Sequence, residues 1–114
     1  MIIISDTISI DPANRDAFLV ASAPLQKATR DDEPGCLAYV FSADPVEPEQ
    51  MVVYELWTDA ASLEAHFLHP NYTNTRALLG QHGSSGAVVR KYRTDADAPV
   101  YNAQRIATAS FDHA

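Results

Sequence analysis

The chain has 114 residues, 46% of them hydrophobic and 20% charged, with four Gly and seven Pro. That length suits one domain with its own core, and the composition lies far from that of disordered or collagen-like chains. A formal net charge of −7 repels phosphate and disfavours nucleic acid and anionic membranes as partners, and the single cysteine excludes an intrachain disulfide or a Cys-rich metal site.

The apolar opening Met1-Ile2-Ile3-Ile4 has no basic flank and stops at Ser5-Asp6, too short for a signal peptide or a membrane span. A cytoplasmic location is the expectation. Ile2, Ile4, Ile8 and Ile10 fall on alternate positions, so a first strand is predicted there, with Asp6 as the one polar residue on its apolar face. Asp11-Pro12 reads as a helix start, Asp as cap and Pro at the first helical position. Phe18, Leu19, Ser22, Leu25 and Ala28 trace the helical stripe that follows. Pro24 interrupts it and predicts a bend near Val20–Ala21. Asp31 to Gly35 ends the helix.

Cys36 to Ala43 is the second predicted strand, with Leu37, Tyr39 and Phe41 on one face. The turn region Asp44 to Glu49 leads to a third strand, Met51 to Trp57. Met51, Val53, Glu55 and Trp57 share one of its faces; Val52, Tyr54 and Leu56 share the other. Thr58-Asp59 caps a second helix with Leu63 and Phe67 as its buried spacing. Pro70 breaks that helix, and Asn71 to Leu79 resumes a helical pattern. A loop over His82 to Gly86 precedes a fourth strand, Ala87 to Arg93. Asp95 to Pro99 is a linker, and Val100 to Ala107 is an extra strand or arm.

The order β-α-β-β-α-β predicts an α+β, ferredoxin-like antiparallel sheet with helices on one face. Residues 1–94 are expected as the domain and 95–114 as a C-terminal arm or extra strand, partly flexible. The opposite sheet face, with Val52 and Leu56, needs cover, which a second copy packing face to face would supply as a homodimer.

Gly35-Cys36-Leu37-Ala38-Tyr39, Asp44-Pro45, Glu55-Leu56-Trp57 and Leu63-Glu64-Ala65-His66 followed by Pro70 occur in an order and spacing that resembles the antibiotic-biosynthesis monooxygenase (ABM) domain family. The resemblance covers roughly residues 2 to 93. It implies a dimeric α/β barrel with a pocket between sheet and helices in each subunit. It also implies a cofactor-independent monooxygenase that uses O₂ on an aromatic or quinol-like small molecule, with no cofactor and no metal. Other members degrade haem, and one subgroup isomerises a phosphorylated compound. Asp6, His66 and Arg76 stand where haem-degrading members carry Asn, Trp and His, which disfavours that role.

Among chemistry-bearing residues His66 is the first choice of base, since imidazole exchanges a proton near neutral pH. The bland alternative is a structural histidine. Asp6 either pairs with Arg76 or a hydroxyl, works as a base with a raised pKa, or sits exposed in a shifted register. Arg76 could steady an oxyanion or lie in solvent. Glu55 could orient His66 or make a structural hydrogen bond; Trp57 could wall the pocket or be plain core. Tyr39, Phe41, Phe67 and Tyr72 complete the expected substrate-binding set. The four histidines show no metal-ligand spacing. His69 is expected as a cap or exposed, His82 and His113 in loop and tail, and Cys36 as an inert buried thiol. Two rival readings stay open: an isomerase or dehydratase using the same base, and a non-catalytic dimeric small-molecule binding module.

Overall fold

A computed structural model of the chain describes residues 1–112. Seven elements follow one another: β1 (Ile2–Ile10), α1 (Arg15–Asp32), β2 (Cys36–Ala43), β3 (Gln50–Trp57), α2 (Ala60–Phe67), α3 (Pro70–Gln81) and β4 (Ser84–Arg93). The four strands make one antiparallel sheet in the order β2-β3-β1-β4. This is the α+β, ferredoxin-like arrangement, with the second helical region split in two at His69-Pro70.

The alternation in β1 and β3 fixes the register, because a slip of one residue would turn every apolar side chain to the wrong face. Ile8 lies opposite Met51, Asp6 opposite Val53, Ile4 opposite Glu55 and Ile2 opposite Trp57. Ile8, Ile10, Met51 and Val53 bury with Phe18 of α1; Ile4 and Trp57 bury with Tyr39 and with Leu63 of α2. Each such side chain removed from water contributes about 1.5–3 kcal/mol.

The helices depart from the sequence pattern in instructive ways. Asp11 caps a turn, its side chain accepting the Ala13 N–H at 2.9 Å, and α1 begins only at Arg15 after Asn14. The buried stripe of α1 is Phe18, Ser22, Gln26 and Thr29, rotated away from the expected Leu25 and Ala28. Gln26 faces inward because its Oε1 accepts the Phe41 N–H at 3.0 Å, a donor of the edge strand β2, while its Nε2 donates to Ser22 Oγ. Pro24 lies within α1, which runs on to Asp32. At Gly35 (φ +86°) the chain turns into β2 so close to α2 that a Cβ would fall 2.2 Å from Ser62 Oγ and 2.6 Å from Thr58 Oγ1.

β4 starts at Ser84, three residues before the expected Ala87, because a bulge at Ser9/Ile10 lets Ser84 and Gly86 pair with β1. It is the outer strand beside β1, and almost all of it is exposed. On the sheet face away from the helices Val52, Tyr54, Val88 and Tyr92 are exposed. Thr94 ties back to Met1, after which the chain leaves the sheet and forms a small turn around Asn102 with one bridge between Tyr101 and Ala107. Val100, Tyr101, Ile106 and Phe111 there are exposed. His113 lies outside the described residues. Among those residues no helix is long and apolar enough to cross a membrane.

Candidate active site

α1 packs over β2 and against α3, so the outer strand β4 receives little helical cover. A cavity of about 590 Å³ opens there, between α3 and the helix side of the sheet. Its sheet side carries Asp6 and Ile8 from β1, Tyr39 and Phe41 from β2, Glu55 from β3, and Ala87 and Val89 from β4. Its helix side carries Tyr72, Thr75, Arg76 and Leu79. Alternation along the strands is what aims these side chains at one space, and the helical spacing of Tyr72, Thr75, Arg76 and Leu79 puts one face of α3 over them.

Glu55 is at the centre of the sheet side. It lies directly across from Tyr39 on β2 and one register step diagonally from Asp6 on β1. Its Oε1 accepts the Trp57 indole N–H at 3.0 Å. Burial pushes the Glu55 carboxyl up to about 7; the indole hydrogen bond opposes this, and the charges of Asp6 and Glu33 add to it. Asp6 is half-buried and accepts the Arg90 backbone N–H at 3.3 Å. Its pKa is also raised, by burial first, with the Arg90 hydrogen bond pulling the other way. Thus Asp6 stays on its apolar face and is held by a backbone donor. Arg76 does not pair with it: among the described residues the ion pairs within 4.0 Å lie at Lys27–Asp31 and around Glu33. Arg76 instead stands beside the Tyr72 ring, its guanidinium carbon 5.9 Å from the ring centre. The Tyr39 phenol is held far above its ordinary pKa by burial and by the neighbouring carboxylates, against a hydrogen bond with Thr75.

Six of the expected site residues therefore meet in one cavity: Asp6, Tyr39, Phe41, Glu55, Tyr72 and Arg76. The other three do not line it. Trp57 is fully buried and acts on the cavity through Glu55. Phe67 borders a separate groove with Ile4, Val89, Arg90 and Lys91. His66, the expected base, is 1% exposed and enclosed by Tyr39, Trp57, Phe67 and Tyr72, at ring-centre distances of 5.3, 4.7, 6.0 and 5.4 Å.

The partner of His66 is Glu33, not Glu55. Glu33 Oε1 lies 2.8 Å from His66 Nδ1, and Glu33 Oε2 accepts the Asn71 side-chain amide at 3.1 Å. Burial lowers the His66 pKa, while Glu33 works to raise it. One carboxylate at the C-terminal cap of α1 thus joins α2 and α3 behind the cavity wall. Glu33 and Asn71 were missed in the sequence: an acid in the run Asp31-Asp32-Glu33-Pro34-Gly35 reads as a solvated helix end. The proline–glycine pair that turns the chain back over α2 is the only local hint. His69 caps α3, its Nδ1 accepting the Asn71 N–H at 3.0 Å, and His82 packs edge-on against Phe18. Cys36 is half-buried, its thiol pushed up to about 11 by burial and nearby acids, which leaves little thiolate. Among the described residues no group of three or more His, Cys, Asp or Glu side chains is placed to hold a metal.

Known proteins share this architecture. A solved antibiotic biosynthesis monooxygenase is 29% identical, with 82% of this chain and 98% of the other superposed at a TM-score of 0.72. A Caulobacter crescentus CB15 protein described as a candidate antibiotic biosynthesis monooxygenase gives 23% identity, 80% and 86% coverage, and a TM-score of 0.74. An uncharacterised Synechocystis protein, sll1783, is 30% identical over 71 residues, which is 62% of this chain and 48% of that protein; the match spans about half its length. The family model for antibiotic biosynthesis monooxygenase matches residues 1–78, which include β1, β2, β3, α2 and the Tyr72–Arg76 segment of the cavity roof. By that match, the chain belongs to the antibiotic biosynthesis monooxygenase family.

Proposed function

We propose that the chain is a cofactor-independent monooxygenase that oxidises a hydroxylated aromatic or quinol-like small molecule with O₂. The observation that carries this reading is a single cavity with carboxyl groups on its sheet side, a guanidinium on its helix side and aromatic walls between them. Such a space suits a flat ring: Tyr39, Phe41 and Tyr72 offer apolar and aromatic surface, and Asp6 and Arg76 offer the two polar functions the chemistry requires.

In this mechanism Asp6 accepts the hydroxyl proton of the substrate, for which a partly buried carboxylate with a raised pKa is suited. The resulting oxyanion faces Arg76, whose charge steadies it. The electron-rich ring anion passes electrons directly to O₂. The hydroxyl proton taken by Asp6 and one ring C–H hydrogen are lost, and that ring carbon and the hydroxyl carbon become the two carbonyls of a quinone. One oxygen atom of O₂ enters at the former C–H carbon, and the other leaves as water with the two hydrogens, so no external reductant is needed. His66 serves as a positioning residue behind the wall, because Glu33 holds it and Tyr39, Trp57 and Tyr72 rest on it.

A second copy of the chain is proposed to cover the exposed sheet face at Val52, Tyr54, Val88 and Tyr92, as an isologous pair. Sedimentation at micromolar protein should give the mass of two chains; a single-chain mass would reject the pairing. The activity is tested by oxygen uptake on a panel of hydroquinones and polycyclic phenols. Uptake matched mole for mole by a quinone product that has gained one oxygen atom from O₂, without hydrogen peroxide, and reduced about 10²-fold or more by Asp6→Asn, is the expected result. Conversion without oxygen uptake would point to an isomerase, and saturable binding without conversion to a binding module.

A further inference from the structure

We infer that Asp6 and Glu55 act as one proton-sharing carboxyl pair: in the resting site they hold a single proton between them, and both touch the substrate hydroxyl. This rests on the proposed site, but it concerns how that site handles protons and does not require oxygen chemistry.

The strand register supplies the geometry. Asp6 faces Val53 and Ile4 faces Glu55, so the two acids are diagonal neighbours on the same sheet face, and the charge of Asp6 acts on Glu55. Both line the same cavity. Each is fixed on one side by a neutral donor, Arg90 N–H for Asp6 and the Trp57 indole for Glu55. Neither has a cationic partner within 4.0 Å among the described residues. Glu55 is only 6% exposed, and its second oxygen, Oε2, has no hydrogen-bond partner among those residues, so that it is free for a ligand in the cavity. Two neighbouring carboxylates in such a place, with no counter-ion, repel each other, and retaining one proton removes the repulsion.

The other charged or titratable groups around the pair do not replace that proton. From β2 comes the Tyr39 phenol, which stays neutral; from α3 come Tyr72 and the exposed Arg76. From the end of α1, Glu33 adds a further negative charge. From β4, Lys91 stands opposite Ile4 on the same sheet face, in the neighbouring groove, and forms no ion pair within 4.0 Å with either acid among the described residues. The raised pKa of both carboxyls, by burial first, agrees in direction with a shared proton.

The arrangement has a chemical use. A bound phenol gives its proton to Asp6 while Glu55 keeps the proton it already holds. Both acids are then neutral donors to the new phenolate oxygen, and the charge that leaves the pair resides on the substrate. One O–H bond breaks and one forms, with no net electron change. A lone ionised carboxylate would instead leave its neighbour's negative charge facing the anion it had just made.

Side-chain carboxyl ¹³C resonances of Asp6 and Glu55, followed against pH in the full chain, test the pair with phenol itself as a ligand that does not need to turn over. In the wild type Glu55 should keep its proton to near neutrality. Asp6→Asn should lower the Glu55 midpoint by several tenths of a pH unit or more, and Glu55→Gln should lower that of Asp6. Phenol should shift both resonances and bind severalfold more weakly to each single variant, and the double variant should be little worse than either single one. An unmoved Glu55 midpoint in Asp6→Asn, or losses that multiply in the double variant, would overturn the pair. If Glu55→Gln fails to fold, Asp6→Asn alone decides. Because no oxygen uptake is read, an intact pair on a chain that consumes no O₂ would sink the oxygenase reading and leave this one standing.

Discussion

Glu33 and His66 are separated by 33 residues, yet Oε1 of the one lies 2.8 Å from Nδ1 of the other in the interior. That contact occupies the imidazole, and with the Asn71 amide on Oε2 it ties the ends of three helices together. His66, the residue expected to be the base, lies behind the cavity wall, while Asp6 and Glu55 of the sheet line the cavity.

Removing the hub acid should be costly. Glu33→Ala leaves a buried imidazole and a buried amide without their acceptor, and should destabilise the fold by about 2–4 kcal/mol. Urea unfolding measured near neutral pH checks this. A loss below about half a kcal/mol would mean the contact is not formed in solution.

Two buried groups should give stability opposite pH dependences. His66 has a lowered folded-state pKa, so its contribution is present above the ordinary value of 6.5 and falls as pH drops below it. Glu55 is raised from 4.5 to about 7, so its contribution is present below 4.5 and is lost as pH rises through about 7. Glu55→Gln should therefore flatten the decline in urea stability between about pH 5 and pH 8, a change on the order of 3 kcal/mol by the shift alone. An unchanged slope in this variant would show that Glu55 ionises normally.

Gly35 and Gly80 should respond in opposite directions. Alanine at Gly35 meets both a positive φ and hydroxyls inside contact distance, and should cost more than about 2 kcal/mol. At Gly80, in the last turn of α3 with nothing within 4 Å, alanine should gain up to about 1 kcal/mol. Thermal melts of the two variants side by side distinguish these outcomes.

Arg76 lines the cavity yet is exposed, and it makes no ion pair among the described residues, so Arg76→Ala should change stability by less than about half a kcal/mol. Its expected effect is on turnover, about 10²-fold in kcat with substrate affinity less affected. Steady-state oxygen uptake by the variant measures both; an unchanged kcat would remove Arg76 from the mechanism.

Much of the fold could be read from local pattern because the pattern is local. Alternating Ile in β1 and the Met51-Val53-Glu55-Trp57 face of β3 state their register outright. Element ends were harder where long-range partners decide them: Gln26 turns inward for the backbone of β2, and Ser84 joins β4 through a bulge in β1. In the site, the period-two rule put Tyr39 with Phe41 and Glu55 with Trp57 on shared strand faces, but a bulge between Cys36 and Ala38 takes Leu37 off the first of these faces. It could not tell that His66, on the correct side of its helix, would be covered by four rings. Nor could it find Glu33, whose role exists only once the chain turns at Gly35.

The two strand-borne acids and the rest of the cavity belong to mechanically different parts of the molecule. Asp6 and Glu55 sit on adjacent strands locked by a continuous ladder, whereas Tyr72, Thr75 and Arg76 ride on one short helix moored near its start by Asn71. Substitutions along that helix can reshape the space offered to a ligand without disturbing the acids below it. Diversification of ligand preference among descendants of this chain would then be concentrated between positions 72 and 79, while the strand positions stay fixed.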